Sequence, residues 1–365
     1  CPIQFQGKEF IRIGSYKKSL KEYPAKERQL WRVFETTPFE DLLALEKLPP
    51  DGVLKIMDYP AYFELSNQPL PDNKKGILEC LLRDNMIAAN DAGSYSITNL
   101  GAILFAKRLD DFKNLKRKAV RVIVYKGAIR TETIKEQIGG KGYASGFKGL
   151  IDYVNGIVPQ NEVIEKALRK KVPMYPEIAI RELVANALIH QDFFVHGAGP
   201  MIEIFPDRIE ITNPGIPLIE TQRFLDSPPK SRNESLASFM RRIGFCEERG
   251  SGFDKVVFQT ELYQLPAPLI EVDNEATKVT MFSHKPFSKM DRNDRVRATY
   301  LHACLKYVQR DYLTNSSLRE RFGIQKENSS VGSRVIADAL EDNLIKPLDI
   351  ENESRKYAKY VPFWA

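Results

Sequence analysis

The stretch "RELVANALIHQDF", Arg181 to Phe193, decides how the chain is read. At 100° per residue, Glu182, Asn186 and His190 fall within an arc of about 80° on one helix face. Ile178, Ile180, Leu183, Val184, Ala187, Leu188 and Ile189 cover most of the remaining circumference. A surface helix shows a broad polar face, whereas this one is apolar almost all round, so it is expected inside the fold. Its polar line must then find partners there. A carboxylate and an amide one turn apart suit two tasks: orienting or activating a water, and holding a hard cation beside a phosphate. The same pair also suits a plain core contact capped by backbone groups, and the helix alone does not choose.

Working outward, the chain of 365 residues is too long for one small core and points to two or three domains. A hydrophobic content of 43% with 28% charged residues fits a well-packed chain rather than a disordered one. No run approaches the roughly 18 apolar residues that span a bilayer, and no signal peptide opens the chain. A cytoplasmic protein with no membrane partner is therefore expected. Cys1, Cys80, Cys246 and Cys304 form no C-x-x-C pair and the histidines do not join them, which argues for reduced structural thiols over a zinc site or disulfide framework. The net charge of +6 and a pI near 8.9 permit a nucleic-acid partner without requiring one. The chain opens on Cys1, and its first segment reads as the end of something, so a fragment of a longer protein is expected.

"KEFIRIGSYKKS" reads as one strand, Phe10 to Ile13, with a turn at Gly14 and a basic exit; a lone strand needs partners, expected to be missing or elsewhere in the fold. From Lys26 to about Lys107 the pattern is helical, clearest in "DNKKGILECLLRDNMI" and "SITNLGAILFAKR", with a small hairpin at "AANDAGSYSIT". Together these suggest a compact helical or winged-helix module. "AVRVIVYKG" reads as a buried strand, followed by a loop and a long helical pattern from Phe147 to Lys170. "MIEIFPDRIEIT" is a hairpin by its alternation, and "EATKVTMFS" supplies a further strand. The middle of the chain is thus an α/β sandwich. "SHKPFSKMDRND" is polar and proline-broken, as a linker should be. Beyond it come helical segments Arg295 to Arg310, Ser316 to Phe322 and Ser330 to Glu341, then two short strands, which is the order of a winged helix.

Two further constellations accompany the opening helix. In "ERGSGFDKVV", Gly250 and Gly252 open a helix whose free N–H groups favour phosphate, although a lone G-x-G is usually a tight turn. "ITNPG", Ile211 to Gly215, is a turn at the end of the hairpin. Taken in order, E-x-x-x-N-A on a helix, a hairpin ending in an Asn/Gly turn, and G-S-G before a helix resemble the nucleotide-binding core of the GHKL ATPases. This Bergerat fold is shared by gyrase-type topoisomerases, histidine kinases and mismatch-repair ATPases. More narrowly, "PEIAIRELVANALIHQDF", "IEIFPDRIEITNPGIP", "SRNESLASFMRRIGFCEERGSGFDKV" and the terminal "YVPFWA" resemble a bacterial family labelled as transcriptional regulators or RecG-like ATP-dependent DNA helicases. Its members join an AlbA-type, Schlafen-like domain to such a core and then to a winged helix.

The resemblance implies an α/β (α+β) architecture: residues 1–25 the end of an AlbA-type domain, 26–110 the helical or winged-helix-like module, 111–284 the GHKL-like core, 285–294 a linker and 295–365 a winged helix. It implies ATP with magnesium as cofactor, double-stranded DNA as partner and a homodimer as a possible assembly. Glu182 takes the water-activating role and Asn186 the magnesium role. Asn213 and Gly215 stand where GHKL ATPases have a D-x-G turn whose aspartate reads the adenine amino group, and Gly250 and Gly252 occupy the second glycine box. Two departures stand out: Asn213 lacks the charge of that aspartate, and "RNE" at Arg232 and Asn233 replaces the frequent "RNP".

At the DNA end, Ser333 and Arg334 lie toward the start of the expected recognition helix, while Arg319, Arg321, Arg355 and Lys356 are placed to hold the backbone. A winged helix used for protein contacts is the alternative. No phosphate loop of the form G-x-x-x-x-G-K-S/T occurs, so unwinding by this chain alone is not expected. Three readings remain: a DNA-binding transcriptional regulator with an ATP-binding core, an ATPase of the RecG-labelled type, and a scaffold whose site has lost its nucleotide. Whether the chain is an enzyme stays open.

Overall fold

The computed structural model describes residues 7–24, 26–27, 30–31, 37–90, 93–165, 168–246, 252–273, 275–349 and 358–365, with backbone only across 160–173. Strands β1 (Phe10–Ile13) and β2 (Tyr16–Ser19) pair antiparallel around Gly14. The strand expected to lack a partner thus finds it in its own basic exit, because Gly14 at φ +58° reverses the chain. Next come β3 (Leu43–Leu48), α1 (Pro50–Ile56), α2 (Tyr59–Leu65), α3 (Lys74–Arg83), β4 (Ile87–Ala89), β5 (Tyr95–Thr98) and α4 (Asn99–Phe105). The three strands form a sheet in the order β3-β5-β4, so this module is mixed rather than purely helical. Asn73 and Thr98 cap α3 and α4 by accepting from Gly76 and Gly101 N–H.

The central domain runs through β6 (Arg121–Tyr125), β7 (Thr133–Ile138), α5 (Tyr143–Ile157), β8 (Gln160–Glu165), β9 (Leu168–Pro173), α6 (Glu177–Ile189), β10 (Met201–Ile204), β11 (Arg208–Pro214), α7 (Glu234–Arg242), α8 (Gly252–Leu262), β12 (Leu269–Val272) and β13 (Ala276–Phe282). The long helix expected to reach Lys170 stops at Ile157, two residues before Pro159, and a β8–β9 hairpin takes its place. Six strands form one mixed sheet, β12-β13-β11-β10-β6-β7, in which only β6 and β10 run parallel. Alternation sets its two faces. Val122, Ile202, Ile204, Ile209 and Ile211 join the main core with α5 and α6, while Ile123, Tyr125 and Phe205 make a small separate cluster on the reverse face.

On that reverse face Glu203 lies directly opposite Glu210, both buried. Like charges facing across a ladder repel. Arg130 answers both, at 2.7 Å from Glu203 and 2.9 Å from Glu210, and Arg208 adds a 2.6 Å pair to Glu210.

The C-terminal module comprises α9 (Arg292–Val308), α10 (Asn315–Phe322), α11 (Ser329–Glu341), β14 (Ile345–Pro347) and β15 (Tyr360–Pro362), with β14 and β15 antiparallel. The segment before it is no loose tether: Lys285 pairs with buried Asp294 at 2.7 Å and Met290 is buried.

The N-terminal module is clamped to the central domain through residues 37–42. Phe39 stacks on Phe193 with ring centroids 4.6 Å apart, and the buried Glu40 carboxylate accepts from the N–H groups of Ser235 and Leu236, capping α7 from a distant part of the chain. Glu40→Ala is expected to lower the unfolding free energy by about 1–2 kcal/mol, the usual worth of a cap. Urea denaturation measures this, and an unchanged midpoint would show that the cap carries no stability.

Candidate functional site

Helix α6 is buried on nearly every side, as its apolar rhythm requires, and packs between α8 and β11. Glu182 is 1% exposed. Arg181 holds its Oε1 at 3.1 Å, whereas Oε2 is buried with no hydrogen-bond partner among the described residues. The first residue of α8 lies against this carboxylate: a Cβ on Gly252 would stand 3.0 Å from Glu182 Oε2 and 3.6 Å from Asn186 Nδ2. A Cβ there would require the Glu182 carboxylate to give way by a few tenths of an ångström, so glycine is the residue that fits this close approach as it stands.

Glu182, Asn186, Asn213 and Gly252 line one cavity of about 420 Å³. This volume lies in the range of small-molecule sites. Ile211 and Asn213 on β11 face it beside Val279 and Thr277 on β13, because Asn213 pairs with Thr277 and Ile211 with Val279 in the ladder. Asn213 is buried, and its Nδ2 donates to the Pro214 carbonyl at 3.2 Å, which leaves Oδ1 as an acceptor. The Thr277 hydroxyl donates to the Gly215 carbonyl at 2.7 Å. Thr277 has no motif of its own in the sequence; only its register opposite Asn213 reveals it.

Gly215 does not line the cavity but makes its corner. Its φ is +99°, and a Cβ would meet Asp192 Cβ at 2.7 Å. Gly250 lies outside the described residues. His190, the third member of the polar line, lies exposed at the cavity; the protein crowded around its ring and the nearby Arg232 charge pull its pKa down to about 4. It is therefore neutral at pH 7.

The opposite wall comes from residues 217–234 and from α7. Arg232 donates to the Ile216 carbonyl and pairs with Asp192 at 3.3 Å. Asn233 donates to the carbonyls of Ile189 at 2.7 Å and Gln191 at 2.8 Å, tying this wall to the end of α6. Lys230 and Arg241 also line the cavity, and no described carboxylate pairs with either. With Arg232 they place three cations on a wall that also carries Glu234, which leaves it net positive and suited to an anion.

In the C-terminal module the expected DNA residues separate. Arg334 is exposed with no described partner. Ser333 is exposed and accepts from Asn315 Nδ2 at 3.0 Å, and the same asparagine accepts from Arg319 Nε at 2.9 Å. Arg321 corrects the reading: it is buried, donates to the Leu265 carbonyl at 2.7 Å and lies 3.6 Å from Glu261, so it faces the central domain and not a DNA backbone. Arg355 and Lys356 lie outside the described residues.

Fold and site together define an α+β protein with a ligand-sized cavity, polar at both ends, between a sheet and three helices. Residues 197–281, which include the hairpin, α7, α8 and most of β13, match the family model described as "Putative ATP-dependent DNA helicase recG C-terminal". Nucleotide binding and an ATPase-like domain fit that match. No curated protein matches the chain. Among solved structures, the DIP2311 protein of Corynebacterium diphtheriae shares the fold with a TM-score of 0.55 over 98% of this chain and 70% of its own, at 18% identity. No helix among the described residues is long and apolar enough to cross a membrane.

The depressed His190 pKa makes a signed prediction. An unfolded histidine takes up its proton near pH 6.5 but the folded one only near 4, so the unfolded state gains protons first and stability falls as pH drops through this window. His190→Gln is expected to flatten that part of the profile, read as the mutant-minus-wild-type melting difference. A difference that stays constant from pH 7 to pH 4 would overturn the assignment.

Proposed function

We propose that the chain is a DNA-binding regulator whose GHKL-like core binds ATP with magnesium and whose C-terminal module is a winged helix. The observation that carries the reading is the Oε2 of Glu182, which has no hydrogen-bond partner among the described residues and lies near Gly252 and Asn186 in a cavity of about 420 Å³. A buried carboxylate oxygen without a donor is costly unless something else occupies its lone pairs. A water, or the coordination shell of a hard cation, meets that need.

The residues suit such a group. Asn186 offers an amide oxygen one turn from Glu182, and magnesium prefers oxygen ligands with retained waters. When bound, magnesium would neutralise and orient phosphate oxygens. Glu182 offers Oε2 to a water, with Arg181 fixing Oε1 in place, and in the ATPase reading it would accept that water's proton. Lys230, Arg232 and Arg241 supply positive charge around the phosphates, and the start of α8 turns backbone N–H groups toward them. Asn213 Oδ1 accepts from a base amino group, with Thr277 beside it.

Three helices followed by an antiparallel hairpin support the winged-helix reading, and an isolated bridge between Leu313 and Tyr360 adds the third strand contact. Arg334 then reads bases, Ser333 and Arg319 order the surface around it, and Arg355 and Lys356 remain candidates for backbone contact. The competing reading is an ATPase of the RecG-labelled type acting on DNA, and the matched family description supports it no less. A homodimer and a cytoplasmic setting complete the proposal.

Turnover separates the readings. Calorimetry is expected to show magnesium-dependent binding of an ATP analogue, lost in Asn186→Ala and retained in Glu182→Ala. Steady phosphate release that disappears in Glu182→Ala would favour the ATPase; binding without release favours the regulator, and no binding removes both. Duplex DNA affinity of the full chain is expected to fall steeply with salt. Arg334→Ala should weaken sequence preference by about 1–3 kcal/mol, and an unchanged preference would rule out its base-reading role.

A further inference from the structure

We propose that Tyr300 and Trp364 of the C-terminal module are positioning residues for the cavity, so that this module senses its occupant through the wall they hold. The proposal rests on the nucleotide reading above. Pro217, Leu218, Ile219, Phe224 and Ser227 form much of that wall. Its outer side is gripped from α9 and the chain end: the Tyr300 hydroxyl donates to the Gln222 carbonyl at 2.6 Å, and Trp364 Nε1 donates to that same hydroxyl at 3.1 Å. Arg223 lies 4.5 Å over the Trp364 ring and pairs with Asp226.

A second connection runs along α8. Its first residue touches Glu182 and Asn186, and near its last turn Glu261 meets His302 of α9 at 2.9 Å and Arg321 of α10 at 3.6 Å. At 1.5 Å per residue this helix is a strut about 16 Å long. The two routes meet at the cavity, where Phe224 of the wall packs edge-on against Phe253 of α8 at 5.6 Å. An occupant that draws the cationic wall toward its phosphates moves a segment whose far side is fastened to the C-terminal module. By reciprocity, whatever the C-terminal module binds biases the wall in return.

The sequence contains two tryptophans. Trp31→Phe in the full chain therefore leaves Trp364 as the sole tryptophan reporter, 4.5 Å from the wall arginine. Titration with a non-hydrolysable ATP analogue and magnesium is followed by Trp364 emission and, in parallel, by calorimetry. The emission is expected to shift and saturate with the calorimetric heat. Adding Tyr300→Phe, which removes one hydroxyl and keeps the ring, should weaken binding by about 2- to 10-fold, the worth of one hydrogen bond, and cut the emission change by at least half. A role confined to stability would lower the melting temperature without altering the emission response. Calorimetric saturation with unchanged emission overturns the proposal, as does a Tyr300→Phe protein identical to its parent in both signals. Absence of heat in the Trp31→Phe parent and in wild type instead removes the nucleotide reading beneath it.

Discussion

The approach of α8 onto the polar line of α6 is the constraint on which the rest of the structure depends. A glutamate 1% exposed, with one oxygen unpaired among the described residues, is a liability in a core built to close packing. Gly252 turns it into the edge of a cavity, because the start of α8 settles against Glu182 and Asn186 without a side chain to fill the space between them. The far end of α8 then fixes where the C-terminal module docks, through Glu261, His302 and Arg321. One glycine contact thereby sets the cavity at one end of a helix and the domain arrangement at the other.

The sheet beneath this arrangement is asymmetric in chemistry. Its helix-covered face is aliphatic and ends in the polar pair Asn213 and Thr277, so the ladder that builds the core also delivers two oxygen-bearing groups to the cavity. Its reverse face sets Glu203 against Glu210 and depends on Arg130 and Arg208 to hold them together. Replacing a carboxylate pair by aliphatic residues of similar volume is often neutral or stabilising. The pair therefore supplies little net stability, and its clearest structural effect is to anchor the loop carrying Arg130 across the sheet.

Much of this was legible because pattern and environment coincide. The unbroken apolar rhythm of Arg181–Phe193 demanded a buried helix, and the alternation of Met201–Thr212 demanded a hairpin with one face inward. Where environment departs from pattern, the reading failed. Every residue of β7 is exposed, so its sequence carries no alternation of burial to detect. The apolar residues between Ile157 and Pro173 suit a helix rhythm, yet Pro159 breaks it and pairing of β8 with β9 replaces it. Arg321 looked like a surface cation because a short helix does not announce which side meets another domain; docking against Leu265 and Glu261 decides it. Glu182 and Asn186 needed only local spacing to be found, whereas Thr277 needed a strand register that no local motif encodes.

Under the proposed nucleotide reading, asparagine at position 213, where GHKL ATPases carry aspartate, redistributes the work of binding. A neutral amide is less costly to bury than a carboxylate, and Asn213 is only 8% exposed. One of its two amide N–H donors is committed to the Pro214 carbonyl, so a base entering the cavity would meet an uncharged acceptor and one remaining donor. Hydrogen bonds to charged groups contribute about 1 kcal/mol more than neutral ones, so under that reading the exchange would weaken base recognition by roughly fivefold. Affinity then has to come from the other end of the ligand, where Lys230 and Arg241 have no described acidic partner and Arg232 is only partly neutralised by Asp192. A nucleotide held mainly by its phosphates is held by charge, and that ties occupancy to the cationic wall more tightly than to the base. The same wall is the one fastened to Tyr300 and Trp364, so under that reading a site that selects weakly for the base would depend the more on the module behind it.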